Sequence, residues 1–222
     1  MPGIFAIALL FVGTQAGYSQ GFVNLNFEDA SIVPDASSPY YPYAAYASFA
    51  IPGWTATGFL GPTNIFYNDI SLGAPSVSLF GTNGPYPVID GAFSIDLYGG
   101  SGQSSEGASI SQTGRVPAGT ESLLFKAQPT IGTLSVTLGG QNLSFSAIST
   151  GPNYTLYGGN IPLGLAGQSA QLTFLALPGV NNYWEIDDIQ FSPSPVPEPA
   201  FLTLFALCGL FLSIRRWHSF PP

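Results

Sequence analysis

From residue 22 to residue 191, short runs of alternating apolar and polar side chains follow one another, separated by clusters of Gly, Pro, Asn and Ser. Alternation puts successive side chains on opposite faces of an extended chain, the signature of a half-buried strand. Residues 22–28 read this way, with Val23, Leu25 and Phe27 on one face and Glu28 on the other. So do residues 76–80, 93–98, 109–113, 121–127, 133–138, 142–148, 154–157, 170–176 and 183–191. Gly139-Gly140-Gln141 is expected to close a hairpin between 133–138 and 142–148, because glycine accepts positive φ. Outside the termini no helical period of ten or more residues occurs. About nine to eleven strands in one domain predict an all-β, two-sheet jelly-roll sandwich rather than a seven-stranded immunoglobulin-like one.

The two ends break the pattern and divide the chain into three parts. Residues 1–20 carry no charge and include an apolar run from Ile4 to Val12, followed by small and polar residues. This predicts an N-terminal signal peptide over 1–20, although the usual basic start is missing. The β-sandwich is expected over 21–192. In 193–222, Pro193-Ser194-Pro195-Val196-Pro197-Glu198-Pro199 is an extended spacer, since proline favours polyproline II and offers no amide to a ladder. An uncharged, mostly apolar run over 200–214 then ends at Arg215 and Arg216. It predicts a short transmembrane helix of about 22 Å, at 1.5 Å per residue. Its arginines would snorkel to the cytoplasmic side, leaving the sandwich outside.

Val196-Pro197-Glu198-Pro199, the short apolar run and Arg215-Arg216, in that order, resemble the PEP-CTERM sorting tail of bacterial proteins. The resemblance implies handling by exosortase in the inner membrane, cleavage near the motif, and transfer to the cell surface or an extracellular polysaccharide matrix. Uncut, the same tail would be a membrane anchor. A second resemblance spans most of 21–192. Asn26-Phe27-Glu28, Pro52-Gly53-Trp54, Ser94-Ile95-Asp96-Leu97, Ile110-Ser111-Gln112-Thr113, Pro117-Ala118-Gly119 and Tyr183-Trp184-Glu185-Ile186-Asp187-Asp188-Ile189 are similar in order to galactose-binding-like jelly rolls and bacterial carbohydrate-binding modules. Glu121-Ser122 departs from that pattern, where relatives often carry an aromatic residue.

Composition narrows the function. Charged residues make up 7% of the chain and Lys plus Arg number 4, too few to bind nucleic acid through its phosphates. Residues 21–195 carry 11 acidic and 2 basic side chains, a net of −9 that attracts cations. The jelly-roll resemblance implies a structural calcium held by Glu28 and Asp187, with Asp29 or Asp188 helping, if the first and last strands lie side by side. Tyr40, Tyr41, Tyr43 and Tyr46 form an uncharged aromatic loop between prolines, able to stack on sugar rings or to fold over the sandwich end. Trp54 and Trp184 read as core. One Cys and one His, both in the tail, leave little for nucleophilic catalysis or a zinc site. Carboxylate pairs such as Asp90 with Asp96, or Asp187 with Asp188, have no sequence mark of a cleft. The expectation is a non-catalytic, exported surface or matrix protein with a structural or adhesive role in exopolysaccharide. The alternatives are a module recognising one glycan and a membrane-held scaffold.

Overall fold

A computed structural model describes residues 21–71, 73–102, 105–129 and 132–197. The signal segment, Glu198, Pro199, the apolar run and Arg215-Arg216 therefore lie outside the described residues. Among the described residues no helix is long and apolar enough to cross a membrane.

The elements run β1 (Ala44–Tyr46), a single-turn helix α1 (Ala47–Ala50), β2 (Thr55–Thr57), β3 (Asn64–Tyr67), β4 (Ser76–Gly81) and β5 (Phe93–Tyr98). They continue with β6 (Ala108–Arg115), β7 (Ser122–Pro129), β8 (Leu134–Leu138), β9 (Gln141–Asn142), β10 (Ser146–Thr150), β11 (Thr155–Asn160), β12 (Ser169–Ala176) and β13 (Tyr183–Ser192). An eight-stranded sheet has the order β1-β3-β4-β5-β13-β7-β11-β10, and a five-stranded sheet the order β2-β6-β12-β8-β9. The chain is thus nearly all β, in two sheets that form a sandwich.

The core lies between the sheets and follows the alternation. Leu79, Leu97, Phe125 and Ile186 of the large sheet meet Ile110, Val136, Leu172 and Phe174 of the small one, all of them buried. Burying such a side chain contributes about 1.5–3 kcal/mol. Trp54 and Trp184 are core residues, as expected.

Three expectations need correction. Residues 22–28 form no strand. Asn24 and Phe27 have φ of 49° and 58°, in the left-handed region, and the chain turns there. The Gln112 side chain holds this segment instead: its Oε1 accepts from Val23 N at 2.6 Å and its Nε2 donates to Val23 O at 3.0 Å. The segment still runs beside the last strand, where Ile189 N donates to Leu25 O. Second, 142–148 is not one strand. Gln141–Asn142 pairs with β8, whereas Ser146–Thr150 pairs with β11 in the other sheet, so the chain changes sheets at Leu143 and Phe145. Third, β1, β2 and β3 were not anticipated. They are three or four residues long, too short for alternation to register.

Candidate functional site

The tyrosine loop is built on one carboxylate. Asp35 accepts hydrogen bonds from Ser37 N (2.9 Å), Ser37 Oγ (2.6 Å), Asn64 Nδ2 (2.8 Å) and Tyr46 OH (3.0 Å). These donors hold its carboxyl far below the usual carboxylate range, and the same bond pushes the Tyr46 phenol up. Tyr46 thereby anchors the loop. Tyr40, Tyr41 and Tyr43 are 40%, 58% and 50% exposed. The Tyr40 ring meets Phe59 edge-on at 5.4 Å and Phe66 at 5.8 Å. Phe59 is itself half exposed and lines a groove of about 460 Å³ with Thr57, Pro75 and Glu106. Three open aromatic faces on a pinned loop thus continue into a concave surface.

Of the carboxylates named for calcium, Glu28 and Asp188 lie near enough to Asp187 for their charges to act on it. Asp187 and Asp188 both reach the outer face of the large sheet because β13 is bulged there: its register against β7 shifts between Asp187 and Gln190, and Asp188 has φ 47°. Glu28 Oε1 accepts from Ala92 N at 2.8 Å and Phe93 N at 3.1 Å, pinning the β4–β5 connection. Gly91 has φ 59°, a conformation that favours glycine, and a Cβ there would crowd the Glu28 carboxylate. Asp187 accepts from Asp188 N at 2.7 Å and Asp90 N at 3.2 Å. Burial nevertheless pushes it up to about 7, with the Asp188 and Glu28 charges adding to the rise.

An ammonium lies among these groups. Lys126 Nζ is 2.6 Å from Asp90 Oδ2 and 3.0 Å from Asp188 Oδ2, and 5.0 Å from the Tyr154 ring centroid. Lys126 thus supplies cationic charge from within the chain, and the lone pairs that calcium needs from six to eight oxygens are partly spent on backbone amides. Among the described residues no group of three or more His, Cys, Asp or Glu is arranged to hold a metal ion. Lys126→Ala is expected to cost about 2 kcal/mol in urea unfolding, between the small value of an exposed pair and the 3–5 kcal/mol of a buried one.

One pairing of acids was not anticipated. Cross-strand register aligns Phe66, Ser78, Asp96, Glu185 and Gln128 in one row over β3, β4, β5, β13 and β7. Asp96 and Glu185 are buried. Desolvation pushes Asp96 up to about 8, with the neighbouring Glu185 charge adding to it, and Glu185 up to about 7, opposed by Ser94. Asp96 Oδ2, Glu185 Oε1 and the hydroxyls of Ser76 and Ser78 have no hydrogen-bond partner among the described residues. Stacked rings flank the row: Tyr98 on Tyr183 at 4.3 Å, and Phe80 on Tyr86 at 4.4 Å. The sequence signal was the polar half of the alternation in Ser94-Ile95-Asp96-Leu97 and Trp184-Glu185-Ile186, which reads as solvent-facing until the cover over the sheet is known.

No family model matches the chain, and no curated protein matches it. It is similar to a cyclase from Fischerella sp. TAU at 15% identity, over 80% of this chain and 98% of that one, with a TM-score of 0.43. It is similar also to TmCBM61, solved in complex with β-1,4-galactotriose, at 15% identity over 78% and 99% of the two chains, TM-score 0.37. The enzymatically active domain of bacteriophage CBA120 tailspike protein 4 is similar at 13% identity over 64% of this chain and 19% of that one, TM-score 0.34.

Proposed function

We propose that this chain is an exported, non-catalytic surface or matrix protein whose sandwich, a galactose-binding-like jelly roll, binds polysaccharide. The observation that carries the reading is the loop on which Tyr40, Tyr41 and Tyr43 stand open on the Asp35 anchor, continuous through Phe59 with the groove. Flat aromatic faces pack on the C–H faces of sugar rings, and phenol hydroxyls bond to sugar hydroxyls at small entropic cost. Asp96 and Glu185 are buried, so this pair does not face a glycosidic bond across an open cleft. The net charge of −9 over residues 21–195 supports a partner that is not nucleic acid.

The three-part tail supports sorting by exosortase, with a brief stay in the inner membrane before transfer to the surface. A mature mass ending near residue 197 tests processing, whereas an intact tail in the membrane pellet favours the anchored scaffold. Calcium binding at Glu28, Asp187 and Asp188 would require Lys126 to withdraw, and titration of calcium into the chelator-treated protein tests it.

Glycan binding is tested by affinity electrophoresis against a panel of soluble polysaccharides. Tyr41→Ala and Tyr43→Ala are each expected to weaken binding about tenfold, roughly 1.4 kcal/mol. Retardation equal to the parent's in both variants, or none in the parent, removes this surface as the site.

A further inference from the structure

The chain does not leave the sandwich where its last strand ends. After β13 it folds back: Ser122 Oγ donates to Ser194 O at 2.7 Å, and Ser194 N donates to Ser192 Oγ at 3.1 Å. Two residues on, the Asn160 side chain takes both backbone groups of Val196. Val196 N donates to Asn160 Oδ1 at 2.7 Å, and Asn160 Nδ2 donates to Val196 O at 3.2 Å. A side-chain amide here does what a neighbouring strand would do, with donor and acceptor in the same spacing. The Val196 side chain is 9% exposed and sits in the space that Gly158 leaves. A Cβ at Gly158 would come within 2.8 Å of Val196 Cγ2, 2.7 Å of Leu124 Cδ2 and 2.6 Å of Ile148 Cδ1. Val196 thus shares the space over Gly158 with Leu124 and Ile148.

Beside it lies a groove of about 510 Å³. Asn142, Ser144, Phe145, Ser146, Ile161 and Pro162 line it, and so do Val196 and Pro197 themselves. The lining offers neutral donors and apolar faces and contains no acidic side chain, in a domain of net −9. Residues 198–222 continue the chain from Pro197, which is itself one of the groove's lining residues. While Val196 is clipped, Pro197 is held on the wall of the groove. An extended proline-rich stretch is already pre-ordered and loses little entropy on docking.

We propose that this groove is the binding site for the chain's own Glu198-Pro199-Ala200, so that the Asn160 clip holds the processing motif on the domain and must open before a processing enzyme can take it. The binding part stands on the geometry, and the consequence for processing rests on the sorting reading above. The spacer is then a gated substrate segment rather than a free linker.

Hydrogen exchange of the full-length chain in detergent micelles tests the docking, read by mass spectrometry over 142–146 and 194–202. Both segments are expected to exchange slowly in the parent. Asn160→Ala removes the clip and Gly158→Ala fills the valine seat. Each is expected to speed exchange at least tenfold in both segments together, with the β6 and β12 segments unchanged as the control for folding. Free exchange of 194–202 in the parent overturns the proposal, as does exchange in 142–146 that neither variant moves. Co-expression with an exosortase separates the two readings. Faster processing of Asn160→Ala supports the gate. A tail that is never processed, with the exchange results as expected, overturns the sorting reading and leaves the docking site standing. Processing at the parent's rate in both variants overturns the gate.

Discussion

Between pH 5 and pH 8 the sandwich is expected to lose stability as pH rises. Three buried carboxyls on the outer face of the large sheet carry the effect: Asp96 is pushed up to about 8, and Glu185 and Asp187 to about 7, each first by burial. In the unfolded chain these groups release their protons near pH 4. From there to pH 7–8 the folded state holds more protons than the unfolded one, and stability falls by up to about 1.4 kcal/mol per pH unit for each proton so held. Asp96 and Glu185 are direct cross-strand neighbours, so they titrate as a pair. Asp35 and Asp90 act with the opposite sign. Their carboxyls are held down by hydrogen bonds, so their contribution is present above pH 4 and disappears as pH falls below it. The two trends place the stability maximum near pH 4–5. Thermal unfolding at pH 4.5, 6 and 7.5 checks this, with Asp96→Asn expected to flatten the alkaline limb. A melting temperature that is level or rising over that range would contradict the burial of the pair.

Much of this fold was legible because alternation is local. Residues 93–98, 170–176 and 183–191 were read as strands and are strands, since their apolar halves need only a core on one side. Residues 22–28 alternate as cleanly and are not a strand, because nothing in the pattern shows that Asn24 and Phe27 take positive φ or that Gln112 replaces the missing ladder. The break in 142–148 is equally hidden: Leu143 stays in the core while its neighbours pair with different sheets. Among candidate sites, the tyrosine loop was readable because its exposure needs no distant partner. The meeting of Glu28 with Asp187 followed from expecting the first and last segments side by side. The place of Lys126 among them did not, because it depends on the register of β7 against a bulged β13. Asp96 was set beside Asp90 and Glu185 beside no other acid, for the same reason: their pairing depends on the register of β5 against β13. Two side-chain amides, Gln112 on Val23 and Asn160 on Val196, tie both ends of the described chain to the sandwich, and a backbone mimic of that kind has no sequence signature.

Phe125→Ala is expected to be the most damaging single substitution in the core. Phe125 is 1% exposed and stands in β7, beside the last strand. Its ring meets Phe174 of the opposite sheet at 5.3 Å, Phe145 of the segment that changes sheets at 5.3 Å, and Tyr157 of β11 at 5.6 Å. Trp184 closes the cluster through Phe145 and Tyr157. Removing the central ring leaves a cavity walled by Phe174 of β12, Tyr157 of β11 and Phe145 of the connection between the sheets, all large rings that refill it poorly. The cost is therefore placed at the upper end of the usual range for Phe→Ala, about 4–5 kcal/mol. Set against a typical domain stability of about 5–15 kcal/mol, that is enough to unfold a marginal protein. For a domain of this size each kcal/mol lowers the melting temperature by about 2–4 °C. Phe125→Leu keeps most of the volume and should lose less than half as much. Tyr41→Ala, on the open loop, should stay within about 0.5 kcal/mol of the parent and serves as the surface control. Urea unfolding with an unchanged m-value decides the point: a loss below about 1 kcal/mol would mean that the two sheets do not meet through this ring.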